Sequence, residues 1–187
     1  MSSPASPREE SPLVPFARGP RPGGMDDVSS QLLWLATQQR TWRSLAVVAA
    51  SEGVATLEVA NMFAKLAWWY RGQPSSVADF RDLPLRLVDH QLRDVAQQLD
   101  LDPVTIVIAL RSIYENPTVA PVAMAVDAAI LCVHMGVTKI AAARRTVETI
   151  GRQKFLGTIV IREPGPDGKK GGGPGATVLH TPKGKGR

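Results

Sequence analysis

From Asp26 onward the apolar residues recur at helical spacing. Asp26 or Asp27 supplies an N-cap, because a carboxylate there accepts from the free N–H groups of a helix start. Leu32, Leu33, Leu35, Trp42, Leu45 and Val48 then follow on one predicted helix, which Ser51-Glu52-Gly53 interrupts. A second helix is predicted over 54–71, carrying Leu57, Met62, Phe63, Leu66, Trp69 and Tyr70, and GQPSS at 72–76 reads as a loop. Leu85, Val88, Leu92, Val95 and Leu99 are spaced three and four apart, which is one stripe along a helix. Such a stripe needs a partner, either the chain's own core or the same helix of a second subunit.

Asp102-Pro103 restarts the chain with proline in a first turn, where its missing N–H costs nothing. Residues 104–113 are therefore expected as a short buried helix, ended by Asn116-Pro117. VAPVAMAVDAAILCVHM at 119–135 is almost wholly apolar. It falls short of the ~20 residues that a membrane span requires, so a buried helix is expected here too. Gly136-Val137-Thr138 ends that helix, and Thr138 caps the next, TKIAAARRTVETIGRQ.

The two ends of the chain differ from its middle. Residues 1–24 hold six prolines and three glycines and are expected to be a disordered arm. Near the other end, Thr158–Arg162 and Thr177–His180 alternate as strands do, and a long Gly- and Pro-rich segment separates them. The expected fold is mainly α: a helical bundle with a C-terminal winged helix-turn-helix containing one small β-hairpin. Its parts would be the arm (1–24), a helical pairing region (25–100) and a nucleic-acid-binding region with a basic tail (101–187).

Charge sharpens this picture. The chain of 187 residues is 44% hydrophobic, enough to bury a core, and carries a formal charge of +5. Residues 151–187 hold eight of the 22 Lys and Arg but only two of the 17 acids, so +6 sits there and −1 on the rest. A concentrated basic end suits an acidic partner. The single cysteine, Cys132, lies in an apolar run, reads as a small buried hydrophobe and permits no disulfide within the chain. With no apolar signal segment and no membrane span, a cytoplasmic protein is expected.

Catalytic chemistry finds little support. GGGPG at 171–175 lacks the lysine and the following helix that a phosphate-binding loop uses. Asp89, Asp94, Asp100 and Asp102 have no partner base, and His134 has no second ligand at metal spacing. No enzyme activity, cofactor or metal is expected. The aromatic run Trp68-Trp69-Tyr70 could stack bases but suits a core or a subunit contact better.

The helix predicted over 138–152 has two faces. Ile140, Ala143, Val147 and Ile150 form the apolar one. Thr138, Lys139, Ala142, Arg145 and Thr149 form the other, flanked by Arg144 and Arg152. Small residues let a helix backbone approach a major groove, and arginine can bond guanine at two atoms. Thr138, Lys139 and Arg145 are expected to face bases and Arg144 and Arg152 the backbone. Thr149, Lys154 and Arg162 complete the basic surface, and Lys169 and Lys170 are placed on the loop of the hairpin, against phosphates.

LDLDPVTIVIALRSIYENP, LCVHMGVTKIAAARRTVETI and TIVIREPGPDGKK with ATVLHTPKGK resemble the tail half of MarR-type winged helix-turn-helix regulators, over roughly residues 84–185. The resemblance implies a homodimer on duplex DNA, a recognition helix at about 138–152 and a wing at 163–176. Here the stretch from Asn116 to Gly136 and the wing are longer than in that family, and no helix follows the wing. ATLEVANMFAKLAWWYRGQPSSVADF, around residues 55–80, is also similar to the central segment of flexible filamentous plant-virus coat proteins. That likeness implies RNA packaged in a basic groove by a larger homo-oligomer. On either resemblance the function expected is nucleic-acid binding.

Overall fold

Ser44–Ala49 contains adjacent valines and no charge, and all six of its residues are buried. It is a strand, not the end of a helix, in the computed structural model of the chain, which describes residues 13–15, 28–162 and 177–179. The elements run β1 (Leu13–Pro15), α1 (Val28–Thr37), β2 (Ser44–Ala49), α2 (Thr56–Arg71), β3 (Ser75–Asp79), α3 (Val88–Leu101), β4 (Thr105–Ser112), α4 (Val119–Ala125), β5 (Ala128–His134), α5 (Ile140–Ile150), β6 (Phe155–Ile161) and β7 (Thr177–Leu179).

One sheet joins all seven strands in the order β1-β3-β4-β2-β5-β6-β7. The five central strands are parallel, while β1 and β7 close the two edges by antiparallel pairing. The protein is therefore α/β, which overturns the expected mainly α bundle. Three predicted helices fail for one physical reason. β2, β4 and β5 stand where Leu45–Val48, Val104–Ile113 and the second half of 119–135 were expected as helix, and strands covered on both faces show continuous apolar runs without alternation.

The sheet is covered on both sides. Leu45 and Val47 of β2 and Val107 and Ala109 of β4 face a layer made by α1 and α2. Ala46 and Val48, with Ile106, Ile108 and Leu110, face α3, α4 and α5. The connection through α2 carries the chain from β2 past β4 to β3. Those through α3, α4 and α5 travel the opposite way. Crossovers between parallel strands are right-handed, so a reversal of direction forces a change of face.

The helix-turn-helix disappears with the bundle. Gly136, at φ 80°, turns a strand rather than a helix into α5, and the segment before it is α4 plus β5. Thr138 does not cap α5: the N-cap is Lys139, without a side-chain bond. Of the expected pairing of 158–162 with 177–180, residues 158–160 pair with 177–179, Ile159 opposite Val178, but β6 also pairs in parallel with β5. The hairpin thus extends the sheet instead of standing out as a wing beside a recognition helix. The loop expected to carry Lys169 and Lys170 lies outside the described residues.

The helices predicted over 54–71 and along the Leu85–Leu99 stripe are found as α2 and α3. Val88 and Val95 of that stripe are buried, whereas Leu85 is exposed. Tyr70 stacks on Trp34, with ring centroids 5.4 Å apart, inside the protein's own packing. Beside them Arg71 lies 4.0 Å over Trp42 and 5.2 Å over Trp34 and donates from Nη1 to the Trp42 carbonyl at 2.6 Å. This cation rests on aromatic faces and ties α1 and the start of β2 to the end of α2. Cys132 is buried, and burial pushes its thiol up to about 12.

Candidate functional site

In an open parallel sheet, ligands settle at the carboxyl ends of the strands, where neighbouring connections leave for opposite faces. Here that point is the end of β2. Its chain exits to the α2 layer, and its neighbours β4 and β5 exit to the other. The loop 50–55 therefore runs through the middle of the carboxyl edge. Gly53 supplies its turn at φ 75°, a conformation costly for a residue with a Cβ, and α2 begins at Thr56.

A strand, a short glycine loop and a helix is the arrangement used to cradle phosphates, with the pattern G-x-x-x-x-G-K-[ST]. Aligning Gly53 with the second glycine puts Val48 at the first. Val54 and Ala55 then stand where the lysine and the hydroxyl belong. No lysine stands in the loop or at the start of α2, while Thr56, one position beyond Ala55, opens the helix with a buried Oγ1 that has no hydrogen-bond partner. The loop is also tied down: Ser51 Oγ is 2.6 Å from Thr138 Oγ1, which accepts from the His134 N–H at 2.8 Å. Thr138 thus clamps the β2 and β5 exits together.

Beyond the loop lies an open crevice of about 600 Å³, lined by Glu52, Arg81, Asp82, Arg111, Glu115 and Asn116 among others. Its arginines are taken. Arg81 bonds Asp79 through Nε and Nη2, both at 2.8 Å. The Arg81 side chain holds the Asp79 carboxyl below its ordinary value, against the opposing effect of burial. Arg111 spans Asp82 at 2.9 Å and Glu115 at 3.2 Å. Asn116 Nδ2 donates to the Arg81 and Leu83 carbonyls, so it braces the loop after β3 against the loop after β4. The lining acids Glu52, Asp82 and Glu115 outnumber Arg81 and Arg111, so the crevice offers little to a phosphate.

The residues predicted to read nucleic acid do not converge. The helix α5 is 11 residues long, about 16 Å, and lies along the face of the sheet. Thr138 and Lys139 sit at the carboxyl edge. Arg145 reaches back over Tyr114 of the loop after β4, 5.7 Å from its ring. Arg144 pairs with Glu148 at 2.7 Å. Thr149 and Arg152 are exposed near the far end of α5. The Lys154 ammonium there donates to the Val126 carbonyl at 2.6 Å, beside Asp127, which makes it a structural group. Arg162 is exposed at the end of β6.

The sequence pattern placed a break at 51–53 but as a join between helices, and it gave no hint of the arginine–carboxylate crevice or of Tyr114. One signal was available: Val47-Val48-Ala49-Ala50 followed by Ser-Glu-Gly and a helix spells strand, loop, helix. Among the described residues no cluster of side chains could hold a metal ion, and no helix is long and apolar enough to cross a membrane. No family model matches the chain, and no curated protein shows detectable similarity to it.

Proposed function

We propose that this protein is a recognition module on a phosphate-loop type of α/β scaffold. It binds through the carboxyl edge of its parallel sheet and performs no phosphoryl chemistry there. The reading rests on the loop after β2, which has the position of a phosphate cradle and a glycine turn but no lysine at its end, Val54 and Ala55 standing before Thr56. Glu52 beside them repels anions further. The clamp from Ser51 to Thr138 and the braces through Arg111 and Asn116 favour a pre-formed surface. Titration of the full chain with a fluorescent ATP analogue, with and without magnesium, tests this. Binding no tighter than ~1 mM and no magnesium-dependent hydrolysis is expected. Micromolar magnesium-dependent binding, or turnover, would overturn it.

A second reading is nucleic-acid binding by the α5 side. It is favoured by charge: six cations from Lys139 to Arg162 face one acid, Glu148. Its signature is affinity that falls steeply with salt for labelled duplex DNA or single-stranded RNA. Absence of binding at low salt would remove it. Pairing into a homodimer belongs to the same reading, and sedimentation measures it directly.

A further inference from the structure

The crevice beside the 50–55 loop holds more acid than its arginines can match. Arg81 is held by Asp79 at 2.8 Å, and Arg111 by Asp82 and Glu115 at 2.9 and 3.2 Å. Glu52 lines the same crevice, is exposed, and makes no ion pair or side-chain hydrogen bond among the described residues. Glu58, in the first turn of α2, adds its field at Arg81. Five carboxylates thus act here on two guanidiniums. Arg86 follows Leu85 in the chain and Arg145 lies over Tyr114, but neither is among the lining residues.

The walls between these charges are apolar. Pro84, Leu85 and Pro117 line the crevice and are exposed, Leu85 at 72%. The two loops that carry them are fixed to each other. Asn116 Nδ2 donates to the Arg81 and Leu83 carbonyls at 3.3 and 3.2 Å, and Thr118 Oγ1 donates to the Leu83 carbonyl at 3.2 Å. The crevice therefore exists before any guest arrives. Asp82 bonds Arg111 through both oxygens, yet its side chain is 78% exposed. A carboxylate has about four acceptor positions, so Asp82 can take a further N–H.

We propose that this crevice takes an arginine or lysine side chain from a peptide segment with apolar neighbours. The charge lies against Glu52 and Asp82, and the apolar parts lie against Pro84, Leu85 and Pro117. This rests on the reading of the carboxyl edge as a recognition surface and names the class of its ligand. Charge complementarity selects the occupant: an unpaired Glu52 and a net excess of carboxylate attract a cation and repel an anion. A neutral apolar guest would leave Glu52 without a partner. Lysine and arginine combine a charged head with an apolar stem, so one side chain meets both features of the lining.

The probe is the peptide acetyl-Ala-Leu-Arg-Leu-Ala-amide. Peptides with citrulline or glutamate in place of arginine serve as comparisons, because citrulline keeps the shape of arginine and loses its charge. Amide chemical shifts of the isotope-labelled full chain show where each peptide binds. The arginine peptide should move the amides of Glu52, Asp82, Leu85 and Arg111 saturably, with a dissociation constant of about 0.1–1 mM. The citrulline peptide should bind at least about fivefold more weakly, and the glutamate peptide should not bind. Glu52→Gln and Leu85→Ser, both at exposed positions, should each weaken the arginine peptide by roughly three- to tenfold with unchanged circular dichroism. If one variant fails to fold, the other carries the same expectation. Equal binding of the arginine and citrulline peptides, full affinity in either folded variant, or shifts confined to other residues would overturn the proposal. No peptide binding at all would overturn it outright. Nucleotide titration of the same sample separates the two levels. Micromolar magnesium–ATP binding sinks the recognition-module reading itself, whereas its absence together with absent peptide binding sinks only the cationic ligand.

Discussion

Replacing Thr138 by valine keeps the side-chain volume and deletes one oxygen. That oxygen accepts from the His134 N–H at 2.8 Å and meets Ser51 Oγ at 2.6 Å. A buried donor left unpaired costs about 1–3 kcal/mol. Both Thr138 and His134 are only half-buried, so water recovers part of that loss, and about 1–2 kcal/mol is expected. For a chain of this size the midpoint should fall by roughly 2–8 °C. Thermal and urea unfolding measure the cost, and hydrogen exchange at the His134 amide should speed up. In a double-mutant cycle with Ser51→Ala, the coupling should be about 0.5–1.5 kcal/mol, because the two hydroxyls share one bond. A Thr138→Val protein with unchanged stability and unchanged His134 protection would refute the clamp. If it instead lost nucleic-acid affinity at full stability, the hydroxyl would be contacting the ligand, as the helix pattern first suggested.

Other perturbations test the frame around the site. Arg71→Met keeps the apolar stem but removes the bond to the Trp42 carbonyl and the contacts over two rings, so urea unfolding should show a loss of about 2–3 kcal/mol. Gly53→Ala should cost about 1–2 kcal/mol from the positive φ alone, since an added methyl meets nothing within 4 Å; a neutral result in thermal unfolding would mean that the loop adopts another course. Asp127 gives a pH signature. Burial pushes its carboxyl up, but the Arg43 and Ser44 N–H groups and the Ser44 hydroxyl outweigh this and hold it below its ordinary value. A depressed folded pKa contributes stability above the unfolded value and loses it as pH falls through the folded one. Asp127→Asn should therefore flatten the stability profile below about pH 4, measured by urea midpoints across pH.

Amphipathic helices were legible in the sequence and buried strands were not. The helices α2, α3 and α5 each keep one wet side, so their apolar residues recur every three or four positions. In β2 the sides alternate as strands require, but Leu45 and Val47 enter one core layer while Ala46 and Val48 enter the other. Both sides are dry, and the alternation leaves no polar trace. The same holds for Ile106, Val107 and Ile108 of β4. β-Branched density would have argued for strand in both segments. In 119–135 the hidden boundary is Val126-Asp127, where a lone acid in an apolar run looks like a flaw in a helix. Its carboxylate takes the Arg43 and Ser44 N–H groups and so fastens the start of β2. A contact 83 residues away in sequence has no local signature.

Site residues were half legible for a related reason. Charge and exposure can be read along one helix, so the basic, solvent-facing side of α5 was identified as a surface. What the surface faces depends on which strands lie beside it. With β2 at the centre of the sheet, the Thr138 hydroxyl meets Ser51 of the 50–55 loop and Arg145 lies over Tyr114 of a different connection, contacts that helix periodicity alone does not contain. Ile140, assigned by periodicity to the apolar core face of its helix, is 87% exposed, whereas the buried residues of α5 are Thr146 and Ile150, in its later turns. An apolar residue at a core-type spacing but outside the core has lost its internal partner.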